Sequence, residues 1–127
     1  MGLILDTNAL SAIGGADAGA SQLFRTARRV AIPVIVLGEY RFGIGQSRVK
    51  RKYERWLADL ISVCEVLAVD EETAIQYAEL RTQLKRAGTP IPSNDAWIAA
   101  LSRQHSLPIL SRDRHFDLIK GVRRVDW

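Results

Sequence analysis

Leu3-Ile4-Leu5-Asp6-Thr7-Asn8 is the stretch from which the rest of the chain is read. An apolar run this short, ending abruptly in a carboxylate, has the length and composition of a buried strand with the acid at its carboxyl end. In open α/β sheets that edge is where ligands bind, in the crevice beyond the strand ends. Three later acids, Glu39, Asp95 and Asp113, stand in contexts that return them to the same edge. Carboxylates converging there without a charge partner call for a divalent cation. The stretch also has a plainer meaning, because Asp6-Thr7-Asn8 is an ordinary helix N-cap sequence. Taken alone it leaves both readings open.

At 127 residues the chain has the length of one domain spanning 1–127, enough to bury roughly two-thirds of the surface its unfolded form exposes. Hydrophobic residues make up 47% and charged residues 25%, the composition of an ordinary globular protein and not of a disordered one. Eighteen Lys and Arg against fourteen Asp and Glu give a net charge of +4, a modest field that favours a polyanionic partner. That field is stronger than +4 suggests if the acids are gathered into one pocket. Cys64 is the single cysteine, so no internal disulfide forms; it lies in an apolar run as a buried, inert thiol would, which suits a reducing cytoplasm. Only Leu3, Ile4 and Leu5 precede Asp6, too few for a signal-peptide core, and no window approaches the length of a membrane span.

Along the chain, strands and helices alternate. The pattern predicts a helix over 8–13, a glycine-marked loop, a helix near 21–28 and a strand at 30–32. Residues 34–43 are ambiguous: Pro33 suits a helix start, whereas Val34-Ile35-Val36 prefers strand. Residues 48–61 form an amphipathic helix with Val49, Tyr53, Trp56, Leu57, Leu60 and Ile61 on one side and Arg48, Arg51, Lys52 and Arg55 on the other. That basic stripe reads as a solvated face or as a contact for an RNA backbone. A strand over 63–69 follows, then a helix over 71–87 capped by Asp70 and stopped by Gly88. Ser93 is placed to cap an apolar helix over 94–105, Pro108 to Ser111 reads as strand running into Asp113, a short helix around 116–119 closes at Gly121, and 122–127 is a terminal strand. Such alternation implies an α/β fold with a parallel sheet covered on both faces.

Asp6 and Asp113 share one arrangement, each following an apolar strand and preceding a helical pattern. Asp95 lies in the first turn of its helix, where the dipole stabilises a carboxylate by about 0.3 to 1 kcal/mol, so a purely structural role competes with a ligand role. Glu39 is the only charge between Val30 and Tyr40, and burial is expected for it, with a cation or donors as company. Oxygen ligands select hard ions, Mg²⁺ or Mn²⁺ rather than zinc. His105 and His115 are ten residues apart with no Cys or His at ligand spacing, and both are expected as surface or packing residues. No Gly-x-Ser-x-Gly, P-loop or dinucleotide-binding glycine motif is present.

Taken in order, these segments resemble the PIN-domain ribonucleases, and among them the VapC-type toxins of toxin–antitoxin pairs. Leu3 to Asn8 is similar to their first strand, Leu37-Gly38-Glu39-Tyr40-Arg41-Phe42-Gly43 to their glutamate helix, and Ile91 to Ala100 to their third-acid helix. Leu110-Ser111-Arg112-Asp113-Arg114-His115-Phe116 resembles the fourth-acid segment, and Gly121 to Trp127 the closing strand. The resemblance spans essentially the whole chain. It implies a three-layer α/β/α sandwich, places Glu39 on a helix, and makes Asp6, Glu39, Asp95 and Asp113 the metal-site acids, with Thr7, Asn94 and Ser111 as supporting polar groups. Ser111 stands where threonine is commoner, with the hydroxyl retained.

The activity implied is metal-dependent hydrolysis of RNA phosphodiesters with Mg²⁺ or Mn²⁺, by a homodimeric toxin neutralised by a cognate antitoxin and free of membranes. Two other classes stand against it. A catalytically silent PIN-like module that binds RNA or protein is disfavoured by the presence of all four acids. A phosphatase of the haloacid-dehalogenase kind would use Asp6 as nucleophile but wants a second Asp two positions on, where this chain has Asn8.

Overall fold

Apolar runs too short to span more than a layer become neighbouring strands. In the computed structural model, which describes all 127 residues, β1 (Gly2–Leu5), β2 (Arg29–Pro33), β3 (Glu65–Leu67), β4 (Ile109–Leu110) and β5 (Arg124–Val125) form one sheet in the order β3-β2-β1-β4-β5. Every neighbouring pair is parallel. Helices α1 (Thr7–Gly14), α2 (Ala18–Thr26), α3 (Val34–Ile44), α4 (Lys50–Ile61), α5 (Glu71–Ala87) and α6 (Ser93–His105) surround it, which is the expected three-layer α/β arrangement. Leu3, Ile4 and Leu5 of β1 and both residues of β4 are fully buried, as a parallel sheet covered on two faces requires.

The chain runs outward from β1 to β2 and β3, then returns to the other side of β1 for β4 and β5. The direction of winding therefore reverses between β1 and β4, and a crevice opens beyond their carboxyl ends. The register pairs Leu5 with Leu110. The Asp6 N–H donates to the Leu110 carbonyl at 3.2 Å, which sets Asp6 beside Ser111 at the rim of that crevice.

The segment left ambiguous by propensity is helical. Pro33 ends β2 in an extended conformation and starts α3, and Val36, Leu37, Tyr40 and Ile44 then bury one face of the helix. Burial of that face outweighs the strand preference of Val34-Ile35-Val36, since helix stability in proteins comes mainly from packing.

Several boundaries differ from the sequence pattern for local reasons. α2 begins at Ala18, because the Asp17 side chain accepts from the Ala20 N–H at 2.9 Å and supplies a cap ahead of Ser21. β3 is limited to three residues, since Val63 and Cys64 close the turn after α4 by donating to the Leu60 and Ile61 carbonyls. Cys64 is only half-buried, and burial raises its thiol pKa. Pro92, not Ser93, stands at the start of α6; the Ser93 hydroxyl instead meets Tyr77 Oη at 3.3 Å and accepts from Arg81 at 3.2 Å. Asp70 caps α5 as expected, in a reciprocal box with the buried Thr73.

After β4 the chain makes a short 3₁₀ turn, Arg114–Leu118, whose only fully buried side chain is Phe116. This ring is the apolar anchor of a segment otherwise held by polar contacts, the Arg124–Asp117 pair at 2.9 Å and the His115–Asp95 contact at 3.0 Å. Phe116→Ala is expected to cost about 3–5 kcal/mol in urea unfolding, with Phe116→Leu losing clearly less. A loss below about 1 kcal/mol for the alanine variant would show that the turn is held by something else.

Candidate metal centre

Asp6 follows β1 and caps α1, with its Oδ1 accepting from the Thr7 N–H at 2.8 Å. Its Oδ2 accepts from the Ser111 hydroxyl at 2.7 Å and from Asn8 Nδ2 at 3.2 Å. The carboxylate is 5% exposed, so desolvation raises its pKa; the Ser111 and Thr7 donors oppose that shift, while the charges of Asp113 and Glu39 add to it. The cap expected of this residue is present, and the same carboxylate faces the crevice acids Asp113 and Glu39.

Ser111, fully buried after β4, donates to Asp6 and accepts from the Asp113 N–H at 2.9 Å. Asp113 in turn caps the 3₁₀ turn through the His115 N–H at 2.9 Å. Asp95, the third residue of α6, is partly buried, and burial again leads the upward shift of its pKa. The structure thus brings Asp6, Ser111, Asp113 and Asp95 to the β1/β4 crevice.

Glu39 reaches the same place from α3 but is exposed, contrary to the burial expected for it. The buried face of α3 carries Val36, Leu37, Tyr40 and Ile44, which turns Glu39 outward over the start of α1. There its Oε1 accepts from Thr7 Oγ1 at 3.2 Å. Asn94 is exposed and makes none of the hydrogen bonds of the site.

Two residues were missed. His115 lies at the surface, as expected, but also joins the acids: its Nδ1 lies 3.0 Å from Asp95 Oδ2 and 3.0 Å from Asp113 Oδ1. Ligand atoms of Asp95, Asp113 and His115 fall within 4.8 Å of one another, a spacing that one cation can bridge. The Asp95 hydrogen bond first, then the charges of Asp113 and Asp95, hold the imidazole pKa above its ordinary value. Asn8 is the second. Its amide donates to Asp6 and to Ser111 at 3.2 Å each, and its Oδ1 accepts from the Arg112 N–H at 3.2 Å, so it ties the ends of β1 and β4 together. The adjacency Asp113-Arg114-His115, both ends of one tight turn, was the available signal for the histidine; for Asn8 only the register supplies one.

A residue set of carboxylates with one imidazole, converging at a strand-end crevice, suits a divalent cation. The sequence profile of the PIN domain family matches residues 3–122. The chain belongs to the PIN-domain family. Within it the chain is similar to Ribonuclease VapC5 of Mycobacterium tuberculosis, at 35% identity over 77% of this chain and 74% of that one. It is likewise similar to the tRNA(fMet)-specific endonuclease VapC of Salmonella typhimurium, at 32% identity over 78% of this chain and 76% of that one. The DNA-bound VapBC structure from Salmonella typhimurium superposes with a TM-score of 0.88 at 29% identity, covering 100% of this PIN domain and 98% of its counterpart. A member of the VapBC family of toxin–antitoxin systems from Mycobacterium tuberculosis superposes with a TM-score of 0.74 at 29% identity, over 99% and 98% of the two chains.

The His115 contacts predict a pH dependence. Because its folded pKa is raised above the ordinary value of 6.5, His115 stabilises the metal-free fold fully below that value and loses the contribution as pH rises through the raised one. Urea unfolding in EDTA is expected to weaken across that window in wild type, and His115→Gln to flatten the slope. An unchanged slope in the variant would remove the imidazolium from the account.

Proposed function

We propose that this PIN domain is a metal-dependent endoribonuclease, the toxin of a toxin–antitoxin module, in which the whole chain 1–127 acts as one catalytic domain. The observation that carries the reading is the gathering of Asp6, Asp95, Asp113 and Glu39 at the β1/β4 crevice of a chain that belongs with the VapC ribonucleases. Asp6, Glu39, Asp95 and Asp113 would hold Mg²⁺ or Mn²⁺, with His115 as a neighbouring donor. Thr7, Ser111 and Asn8 position these acids, and Asn94 is left with a place at the rim.

The chemistry a bound divalent ion supplies there is Lewis-acid: it lowers the pKa of water and offsets charge growing on phosphorus. The chain's residues do the rest. Ser111 and Asn8 fix Asp6, Thr7 orients Glu39, and the 3₁₀ turn fixes Asp113. Water oxygen bonds to phosphorus, the bond from phosphorus to the leaving sugar oxygen breaks, one carboxylate of the cluster takes the water's proton, and the leaving oxygen takes a proton from solvent. No covalent intermediate with the chain is needed.

Purified protein is expected to cut RNA with Mg²⁺ or Mn²⁺ and to stop in EDTA; cleavage at full rate in EDTA would sink the reading. Asp95→Asn separates ligand from helix-dipole partner. As a ligand, its neutralisation, measured at alkaline pH where His115 is uncharged, leaves the metal-free melting temperature unchanged or raised, because like charges are relieved, and abolishes both cleavage and the Mn²⁺-dependent rise. That rise corresponds to about 2.7 kcal/mol at a hundredfold excess over the dissociation constant. As a mere dipole partner, the variant melts lower, keeps the Mn²⁺ shift and cuts RNA.

The partner reading follows from the VapBC relatives: in the cytoplasm the toxin pairs with itself and with an antitoxin segment that offers apolar anchors and an Arg or Lys to the carboxylates. No helix is long and apolar enough to cross a membrane. Expression of active protein without its antitoxin is expected to arrest growth of the native host, and light scattering at micromolar concentration to give a dimer mass. Unimpeded growth, or a monomer mass, would overturn the respective half.

A further inference from the structure

Residues 41–55 carry Arg41, Arg48, Lys50, Arg51, Lys52 and Arg55 against the single acid Glu54, a net +5 in a chain whose total is +4. The whole positive excess of the molecule therefore sits in the end of α3, the following turn and the first half of α4. Only Lys50 is in an ion pair, at 3.7 Å from Glu54; the other five cations have no carboxylate partner and are exposed. On α4, Arg51, Lys52 and Arg55 lie opposite the face that buries Leu57 and Leu60, in a stripe about 6 Å long, and Arg48 precedes them in the turn before the helix.

Between Glu39 of the crevice and the stripe the chain carries an exposed aromatic side chain on α3. Phe42 is 67% exposed, and every other aromatic residue of the chain is at least partly buried. It stands three residues beyond Glu39, one turn along the same exposed side of α3. Nothing in the fold requires this ring to be in water. Gly38, one turn back, and Gly43, the next residue, carry no side chain to cover it, and a side chain at either would meet open space.

We propose that this surface is the substrate track: one unpaired base of an RNA strand stacks on Phe42, and the backbone leading away from the scissile phosphate runs over Arg48, Arg51, Lys52 and Arg55. Charge complementarity selects this occupant. Five unpaired cations beside an exposed ring suit phosphates and a base face, the combination that single-stranded nucleic acid sites use. Arginine and an aromatic ring are common to protein interfaces as well, but a protein interface core is depleted of charge, whereas here one acid, Glu54, stands among six cations. The proposal rests on the RNA-cleaving function above and adds where the strand lies.

The test is binding of a fluorescein-labelled 20-nucleotide oligouridylate to the full chain in EDTA, read by anisotropy across a salt series. The triple variant Arg48→Glu, Arg51→Glu, Arg55→Glu is expected to lose at least tenfold in affinity and to lower the salt slope by about 2, as three lost phosphate contacts on a single strand require. Lys85→Glu, Arg86→Glu, Lys120→Glu, with the same charge change on exposed residues elsewhere, is expected to bind within about threefold of wild type. Phe42→Leu is expected to lose at least fivefold and Phe42→Tyr to retain binding, because stacking needs the ring and not merely apolar area. Retention of the Mn²⁺ melting shift in each variant establishes that the crevice has folded.

Equal losses from the two triple variants would overturn the track in favour of net charge alone. Equal affinities for Phe42→Leu and Phe42→Tyr, or loss of the dimer mass with RNA affinity intact, would overturn the stacking and make Phe42 a protein contact. A wild type that cuts RNA while the track variants bind like it overturns the track only. A wild type that neither binds nor cuts RNA overturns the function on which the track rests.

Discussion

The hydrogen bond of 2.7 Å from the Ser111 hydroxyl to Asp6 Oδ2 is the interaction on which the rest of the site depends. Asp6 is nearly sealed from water at the end of the central strand, and a buried carboxylate without donors costs several kcal/mol. Its donors come from Thr7, Asn8 and Ser111, so the charge is tolerable only when β4 has docked beside β1 in the right register. Ser111 then passes the constraint on, by accepting from the Asp113 N–H. Folding of the sheet and assembly of the crevice are in this sense one event.

What the sequence made legible follows from where each signal lives. Asp6 and Asp113 each end an apolar strand, so local pattern finds them, and the parallel topology brings them together without further information. Asp95 is equally local. Glu39 was located correctly but its environment was misjudged: an unbroken apolar neighbourhood in sequence suggests burial, yet a helix with only one buried face turns every third or fourth residue outward. His115 and Asn8 were missed for a different reason. Their roles arise from distances across the crevice to Asp95 and Ser111, residues 20 and 103 positions away, and no periodicity encodes a register.

The electrostatic layout has the same two-part character. Capping draws Asp6 and Asp113 to the crevice, and α6 and α3 carry Asp95 and Glu39 there, while Arg48, Arg51, Lys52 and Arg55 gather in and before α4 without a carboxylate partner. A field of this kind attracts a polyanion to the molecule as a whole, and the buried acids then repel it from the one place where charge must be reduced before a phosphate can enter. A cation in the crevice removes that conflict, which is a physical reason for the acids and the basic stripe to occur together in one small chain.

Whether a helix cap can also serve as a ligand is decided by counting oxygen lone pairs. A carboxylate offers about four acceptor positions. Asp6 spends three of them on Thr7, Asn8 and Ser111, so it has room for one more bond at most and contributes chiefly a fixed negative charge. Asp113 directs only Oδ1 at the His115 N–H and imidazole, and Asp95 only Oδ2 at the same ring, which leaves Asp113 Oδ2 and Asp95 Oδ1 without partners. Glu39 uses only Oε1, on Thr7. Three acids thus keep a whole oxygen free while their other oxygen is held in place. Capping leaves the ligand role of Asp113 intact, as the His115 and Thr7 contacts do for Asp95 and Glu39; each bond orients the oxygen that a cation would meet, and supplies in advance the ordering that binding would otherwise have to impose.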